Sequence, residues 1–360
     1  MQISKASSDL IYWQNVLFNK WSIKAELKEL AGEYDLNFSA RCRSGKRFIL
    51  KVMRADCPEW LVDAQIQAIR HVHEQIENAP IPKFVVSSAG AGFELIDDQF
   101  GNPRLVWVLE EIIGQCYADS APKSEQLAHA VGEAMAKLAK ALCSFENKHL
   151  DRDFKWNLMQ GGWIAEKLHI IEELSRRNIV SSILKDFQEI KSKLLDLDQQ
   201  IIHNDANDYN ILVKGTGAEK RTLSGIIDFG DMCLSPRICD LAIAAAYIVL
   251  DHSKPQQILT ALVKGYHKTS PLMPQELDLI WRLLRMRLAV SLVNSNALAT
   301  KRSYDPYITI SQEPAWRFLE GTKISEALIN ARLRAACDMP VKSGADRIMA
   351  WLDQKRGTFA

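Results

Sequence analysis

The segment Ile202-His203-Asn204-Asp205-Ala206-Asn207-Asp208-Tyr209-Asn210-Ile211-Leu212-Val213 sets a carboxylate after a histidine and ahead of an asparagine. A second carboxylate opens Asp228-Phe229-Gly230-Asp231 after one short turn. Moving a phosphoryl group needs a carboxylate to accept the proton of the attacking hydroxyl. It also needs oxygen ligands for magnesium, which neutralises charge on the phosphates. The spacing H-x-D-x-x-x-x-N followed by D-F-G supplies those parts in that order. Asp205 is the candidate base, and Asn210 and Asp228 are the candidate Mg2+ ligands. A lone Asp-Phe-Gly is a common turn; the ordered set is far more specific than either half. His203 reads as a brace of the loop, and Asp240 as a helix N-cap or a buried brace.

Lys51 sits inside the apolar strand Phe48-Ile49-Leu50-Lys51-Val52, ahead of a helix. That is where a kinase-like fold sets the ammonium that holds the phosphates of its nucleotide. A solvated edge-strand lysine is the alternative. The acid expected behind it comes from the next helix, with Asp63 first and Glu59 second. The turn 32–37, ending at Asn37, is placed to cover the phosphates, although it lacks the G-x-G-x-x-G form. Backbone near Glu111, in the connector after Trp107-Val108-Leu109-Glu110, is expected to meet the nucleobase. The donor is ATP or GTP. Protein kinases carry a long segment after D-F-G closed by A-P-E. Here a helix begins near Asp240 and Asn204 stands where their loop has Arg, so the acceptor is a small molecule rather than a peptide.

These residues need a scaffold. Residues 1–112 read as a sheet-rich lobe, with alternating or apolar strands at 21–29, 37–42, 47–53, 84–88, 92–96 and 105–112. A helix runs from Asp56 to about Ile76, with Pro58 suited to its first turn. Residues 113–360 turn helical, with patterns at 124–142, 163–176, 179–195, 239–250, 256–268 and 275–299. Within them a strand pair, 201–203 and 211–214, is followed by a strand at 223–229. The fold class is therefore α+β, a bilobal protein-kinase-like plan with a small nucleotide-binding lobe and a larger catalytic and acceptor-binding lobe.

The formal net charge of +1 argues against a nucleic-acid protein with a broad basic face. The cysteines, Cys42, Cys57, Cys116, Cys143, Cys233, Cys239 and Cys337, are odd in number and hold no C-x-x-C, which reads as scattered reduced thiols. The polar start lacks the apolar core of a secretory signal, and the run 241–250 is too short to span a bilayer. A cytoplasmic protein without a membrane or nucleic-acid partner is expected.

The motifs resemble those of the aminoglycoside phosphotransferase and choline kinase superfamily, and within it the hydroxylysine-kinase-like branch. The resemblance covers most of the chain. Glu33-Tyr34-Asp35-Leu36-Asn37-Phe38 is similar to the branch's first turn, 203–213 and 227–231 to its core, and Asp240-Leu241-Ala242-Ile243-Ala244 to the helix that follows. Arg287-Leu288-Ala289-Val290-Ser291 and Asp305-Pro306-Tyr307-Ile308-Thr309-Ile310-Ser311 carry the branch assignment. Where the branch often has Trp-Asp-Leu, this chain has Trp156-Asn157-Leu158, a departure that points to a different acceptor if that Asp touches it. The resemblance implies a phosphotransferase using a hydroxyl acceptor, and in bacteria sometimes a fusion with a class III aminotransferase. Choline-, homoserine- or aminoglycoside-type kinases are the alternative enzymes, and a degenerate kinase fold used as a binding module is the alternative class. The presence of Lys51, Asp205, Asn210 and Asp228 favours an enzyme.

Resemblance and chemistry together point to a small amine-bearing alcohol as acceptor, such as a hydroxylated amino acid. The helix 275–299 carries Arg282, Arg285 and Arg287 in an apolar stretch, and arginine grips carboxylates in a bidentate fork. Arg287 is the clamp candidate; meeting acids of the protein itself is the alternative. Asp208 and Asp231 are the candidate partners for the acceptor's ammonium.

Overall fold

Asp9 starts the first regular element: its carboxylate accepts the amides of Ile11 at 3.0 Å and Tyr12 at 3.1 Å, capping α1 (Leu10–Trp21). This computed structural model describes residues 9–32, 35–217, 220–299, 312–321, 324–342, 351 and 354. Asp305–Ser311, which carried part of the branch assignment, lies outside the described residues, as do Glu33 and Tyr34. The chain divides into two compact units. The first runs to Gly114 and takes back Phe145–Asp151 and Ser224–Gly230; the second holds the rest.

In the first unit, α1 buries Trp13, Val16, Leu17 and Trp21. The periodicity expected to make Trp21 the start of a strand instead closes this helix at Ser22, whose φ is 57°. The strand begins at Ala25. Strands β1 (Ala25–Leu30), β2 (Leu36–Cys42), β3 (Arg47–Val52), β4 (Phe84–Val85), β5 (Glu94–Asp97) and β6 (Pro103–Glu110) form one sheet in the order β1-β2-β3-β6-β4, with β5 also on β6. The pairs β1–β2, β2–β3, β3–β6, β4–β6 and β5–β6 are antiparallel. In β3, Lys51 faces Asn37 on one side and Trp107 on the other. Lys51 thus stands in a central strand, not at an edge, and its backbone is fixed from both sides. Helix α2 (Glu59–Gln75) turns Leu61, Val62, Gln65, Ile66, Ile69 and Val72 inward.

The second unit is mostly helical, and its helices are α3 (Glu125–Leu142), α4 (Leu174–Leu195), α5 (Arg237–Ile248), α6 (Pro255–Thr269), α7 (Pro274–Leu277), α8 (Ile280–Ala299), α9 (Gln312–Gly321) and α10 (Glu326–Ala336). A 3-10 run, Leu158–Ile170, takes the place of the helix expected from 163. Helices α3 and α6 touch backbone to backbone. A Cβ on Gly132 would lie 2.0 Å from the Leu262 carbonyl oxygen, and one on Gly265 2.0 Å from that of His129. Only glycine fits at either crossing point.

The short strands here correct the sequence-based pairing. Strand β8 (Gln199–Ile202) does not pair with β9 (Ile211–Lys214); it pairs with β11 (Cys233–Pro236), Ile202 opposite Cys233. Strand β9 pairs with β7 (Gln115–Cys116). The loop 203–210 therefore connects two different sheets. The chain leaves the second unit within β10 (Thr222–Ile226) and re-enters it at Asp231.

Candidate active site

The residues singled out from sequence fall into two sets, one in each unit. In the first, Lys51 Nζ lies 3.4 Å from Asp228 Oδ1 and 5.7 Å from the centroid of the Trp107 ring. Apolar walls on β3 and β6 leave Lys51 9% exposed, so its ammonium needs an acid nearby. Asp228 provides it from a left-handed backbone position, φ 68°, which is uncommon for a residue with a Cβ. The Gly230 amide donates to the same Oδ1 at 3.3 Å.

The acid expected from α2 is corrected. Asp63 is exposed and accepts a hydrogen bond from Gln67, and Glu59 is exposed too. Positions two residues apart on a helix point about 200° around it, so when Gln65 faces inward Asp63 faces out. Gln65, 1% exposed, occupies the inward place, and its Oε1 would lie 3.9 Å from a Cβ on Gly230. A second carboxylate comes from the turn before β2. Asp35 accepts the Arg54 amide at 2.6 Å, and its carboxyl is raised by burial, opposed by that hydrogen bond and the charges of Lys51 and Arg54. Sequence reasoning quoted Asp35 only as part of a motif.

Asn37 is half-buried opposite Lys51, with its Nδ2 close over Gly32. Glu111 is committed to the sheet: its amide donates to the Arg47 carbonyl at 3.1 Å, and its carboxylate accepts Ser39 Oγ at 2.9 Å. The Glu111 amide is therefore not the group that meets a nucleobase, which leaves its carbonyl for that reading.

In the second unit the loop after β8 is pinned from below by α5. Asp240, 1% exposed, accepts the amides of His203 at 3.3 Å and Asn204 at 2.8 Å. Burial pushes the Asp240 carboxyl up to about 6, against the pull of those two amides and the Arg287 charge. Asp240 is the loop's brace, not a cap: Pro236 precedes α5. His203 is fully buried, and its Nδ1 accepts the Asp205 amide at 3.3 Å, a bracing role. Asn204 takes φ 67° and sends Nδ2 to the Asp231 carbonyl at 3.1 Å.

These braces present Asp205. Its Oδ1 accepts Arg287 Nη2 at 2.8 Å and Asn207 Nδ2 at 3.1 Å; its Oδ2 accepts Asn210 Nδ2 at 2.8 Å. The same Nδ2 also reaches the Asp205 carbonyl at 2.9 Å. With the amide nitrogen of Asn210 turned to Asp205, its amide oxygen is the atom directed elsewhere. The Asn210 amide oxygen in the second unit, and the Asp228 carboxylate in the first, are each the hard oxygen type that magnesium takes as a ligand. Among the described residues no group of three or more His, Cys, Asp or Glu could hold a metal alone.

The structure separates Asp208 from Asp205. The Asp208 side chain is buried, and burial pushes it up to about 6, with Lys123, Asp119 and Asp251 as the charges around it. The Ala118 amide holds its carbonyl at 2.9 Å. Asp231 is half-buried, and its charge is felt by Arg287. All three arginines of α8 meet the protein's own acids: Arg282 meets Glu326 at 2.8 Å, Arg285 meets Asp186 at 3.0 Å, and Arg287 meets Asp205. Asn157, the departure from the branch, is 5% exposed; its Nδ2 donates to the Leu234 carbonyl at 3.2 Å and its Oδ1 accepts Ser235 Oγ at 3.3 Å. An amide can make both bonds where a carboxylate can make only one, so this position answers to packing.

The family model of the phosphotransferase enzyme family (APH) matches residues 26–279. The chain is 28% identical over 294 residues to a hydroxylysine kinase of Danio rerio, covering 79% of this chain and 82% of that protein. It is 29% identical over 224 residues to a homoserine kinase of Zymomonas mobilis, covering 59% of this chain and 63% of that one. Among solved structures, the amicoumacin kinase hAmiN superposes with a TM-score of 0.65 at 17% identity, over 90% of this chain and 97% of the other. A microcompartment-associated aminopropanol kinase gives 0.59 at 17% identity, over 93% and 100%. The fold is that of these kinases, a sheet-rich unit followed by a helical one, and the family match extends from β1 through the catalytic loop and the Asp-Phe-Gly segment to α7. The chain belongs to the phosphotransferase enzyme family, as a small-molecule kinase that phosphorylates an alcohol group.

Proposed function

We propose that this kinase transfers the γ-phosphoryl group of ATP or GTP to the hydroxyl of a small amine-bearing metabolite, a hydroxylated amino acid of the hydroxylysine or homoserine kind. The observation that carries the reading is Asp205, a carboxylate held by three side-chain donors after β8, at the base position of the H-x-D-x-x-x-x-N spacing. The curated relatives support the acceptor class, since they are named hydroxylysine kinases and a homoserine kinase.

Each residue then has one task. Lys51 holds the phosphates, kept in place by its strand and by Asp228. Asn210 and Asp228 would hold magnesium, which neutralises phosphate charge when bound. Asp205 accepts the hydrogen bond of the acceptor hydroxyl and takes its proton as the new ester forms. Asp231 is the acid for the acceptor's ammonium; Asp208 is turned into another environment and drops from that role. The test is ADP release with ATP and GTP in parallel, offered hydroxylysine, homoserine, 1-amino-2-propanol, choline and kanamycin. Stimulation by hydroxylated amino acids is expected. Stimulation by choline or kanamycin alone would reassign the acceptor and leave the kinase intact.

A further inference from the structure

Arg287 is among the largest side chains fully enclosed by the protein, 2% exposed. Its guanidinium lies against two rings, with Cζ 4.6 Å from the centroid of Trp156 and 5.6 Å from that of Tyr247. Each nitrogen has a set direction. Nε donates to the Tyr247 hydroxyl at 3.1 Å, Nη1 to the Trp156 carbonyl at 3.4 Å, and Nη2 to Asp205 Oδ1 at 2.8 Å. Arg282 and Arg285, on the same helix, bind acids elsewhere in the unit and are half-buried.

We propose that Arg287 is the positioning residue of Asp205: it fixes the plane and height of that carboxylate, and does not clamp the acceptor. The inference rests on the kinase reading above. An aspartate carboxyl turns in a broad, nearly two-fold well, so one hydrogen bond does not orient it. Here Oδ1 is held by Arg287 and Asn207, and Oδ2 by Asn210. Asn207 and Asn210 belong to the same loop as Asp205 and move with it. Arg287 comes from α8 and ties the carboxylate to the core. A buried guanidinium cannot shed its proton and must keep an acid; the acids whose charges couple to it are Asp205, Asp231 and Asp240, and Asp205 is the one in hydrogen-bond contact. The planar fork, held against two rings and by three hydrogen bonds, is stiffer than a lysine would be. Phosphoryl transfer depends mainly on positioning, so such a tether acts on kcat.

The experiment uses water as the acceptor, which makes it independent of the acceptor's identity. Slow ATP hydrolysis by the full chain with magnesium is compared between the wild type and Arg287→Ala. The hydrolysis rate is expected to fall by roughly 10- to 100-fold, the scale of an ångström of misplacement, with the KM for ATP unchanged. Added guanidinium ion should restore part of the rate, and ammonium should not. Arg287→Lys, which keeps the charge and loses the fork, should show the same fall; it serves as the variant of record if Arg287→Ala fails to fold. Unchanged hydrolysis in a folded variant would overturn the proposal. A wild type that hydrolyses no ATP and phosphorylates no acceptor would sink the kinase reading and the proposal with it.

Discussion

At the scale of single residues, the parts of the site legible in the sequence are the ones whose spacing is local. Asp205 and Asn210 lie five apart, and the Asn210 amide reaches both the carboxylate and the carbonyl of Asp205. Lys51 was legible as a lysine in an apolar strand; its ion pair with Asp228, 177 residues away, follows from packing, not from spacing. The apolar phase of α2 puts Gln65 on the inner face and Asp63 on the outer one. Arg287 announced only that it needed an acid. That the acid is Asp205, 82 residues away, follows from packing alone. Asp208 gives a test of burial. Its carboxyl is raised from 3.8 to about 6, so the folded chain resists an ionisation that the unfolded chain accepts. Stability from the neutral form is complete below about pH 4 and is lost as pH rises through about 6. Asp208→Asn, always neutral, should therefore gain thermal stability relative to the wild type between those pH values. A difference in Tm that stays constant from pH 4 to pH 7 would show that the carboxyl is not held up by burial.

At the scale of elements, hydrophobic period announced that strands and helices exist but not whom they pair with. β8 and β9 were legible as strands, and their nearness in sequence suggested a pair. The structure gives β8 to β11, and the loop 203–210, instead of folding back as a hairpin, is held at Asn204 by the Asp240 carboxylate and the Asp231 carbonyl. Helix α1 has a sequence signature of its own, since Asp9 followed by Trp13, Val16, Leu17 and Trp21 carries both a cap and a helical apolar face. The close backbone approach of α3 and α6 rests on Gly132 and Gly265 and could not be read from one sequence. Gly265→Ala places a methyl 2.0 Å from the His129 carbonyl oxygen, so the helices must part. A loss of about 1–3 kcal/mol is expected, as for overpacked cores, read as a lower urea midpoint with an unchanged slope. A midpoint equal to the wild type's would mean that the crossing is looser than described.

At the scale of the whole molecule, the proposed site residues are divided between the units: Lys51 and Asp228 in the first, Asp205, Asn210 and Arg287 in the second. No helix among the described residues is long and apolar enough to cross a membrane. A ligand that binds only the folded chain stabilises it by mass action, about 2.7 kcal/mol at a hundredfold excess over Kd. ATP with magnesium should therefore raise Tm, and Asp228→Ala should abolish the part that EDTA removes in the wild type. An equal EDTA-sensitive shift in the variant would take Asp228 out of the metal site. The central claim is that Asp205 orients the hydroxyl of a hydroxylated amino acid for attack on a nucleotide. The most direct measurement is single-turnover transfer of phosphate from ATP to hydroxylysine or homoserine, wild type against Asp205→Ala, with nucleotide affinity measured in the same samples. A fall of about 100- to 10,000-fold in transfer is expected, with the nucleotide Kd unchanged. Transfer at near wild-type rate by Asp205→Ala would contradict it.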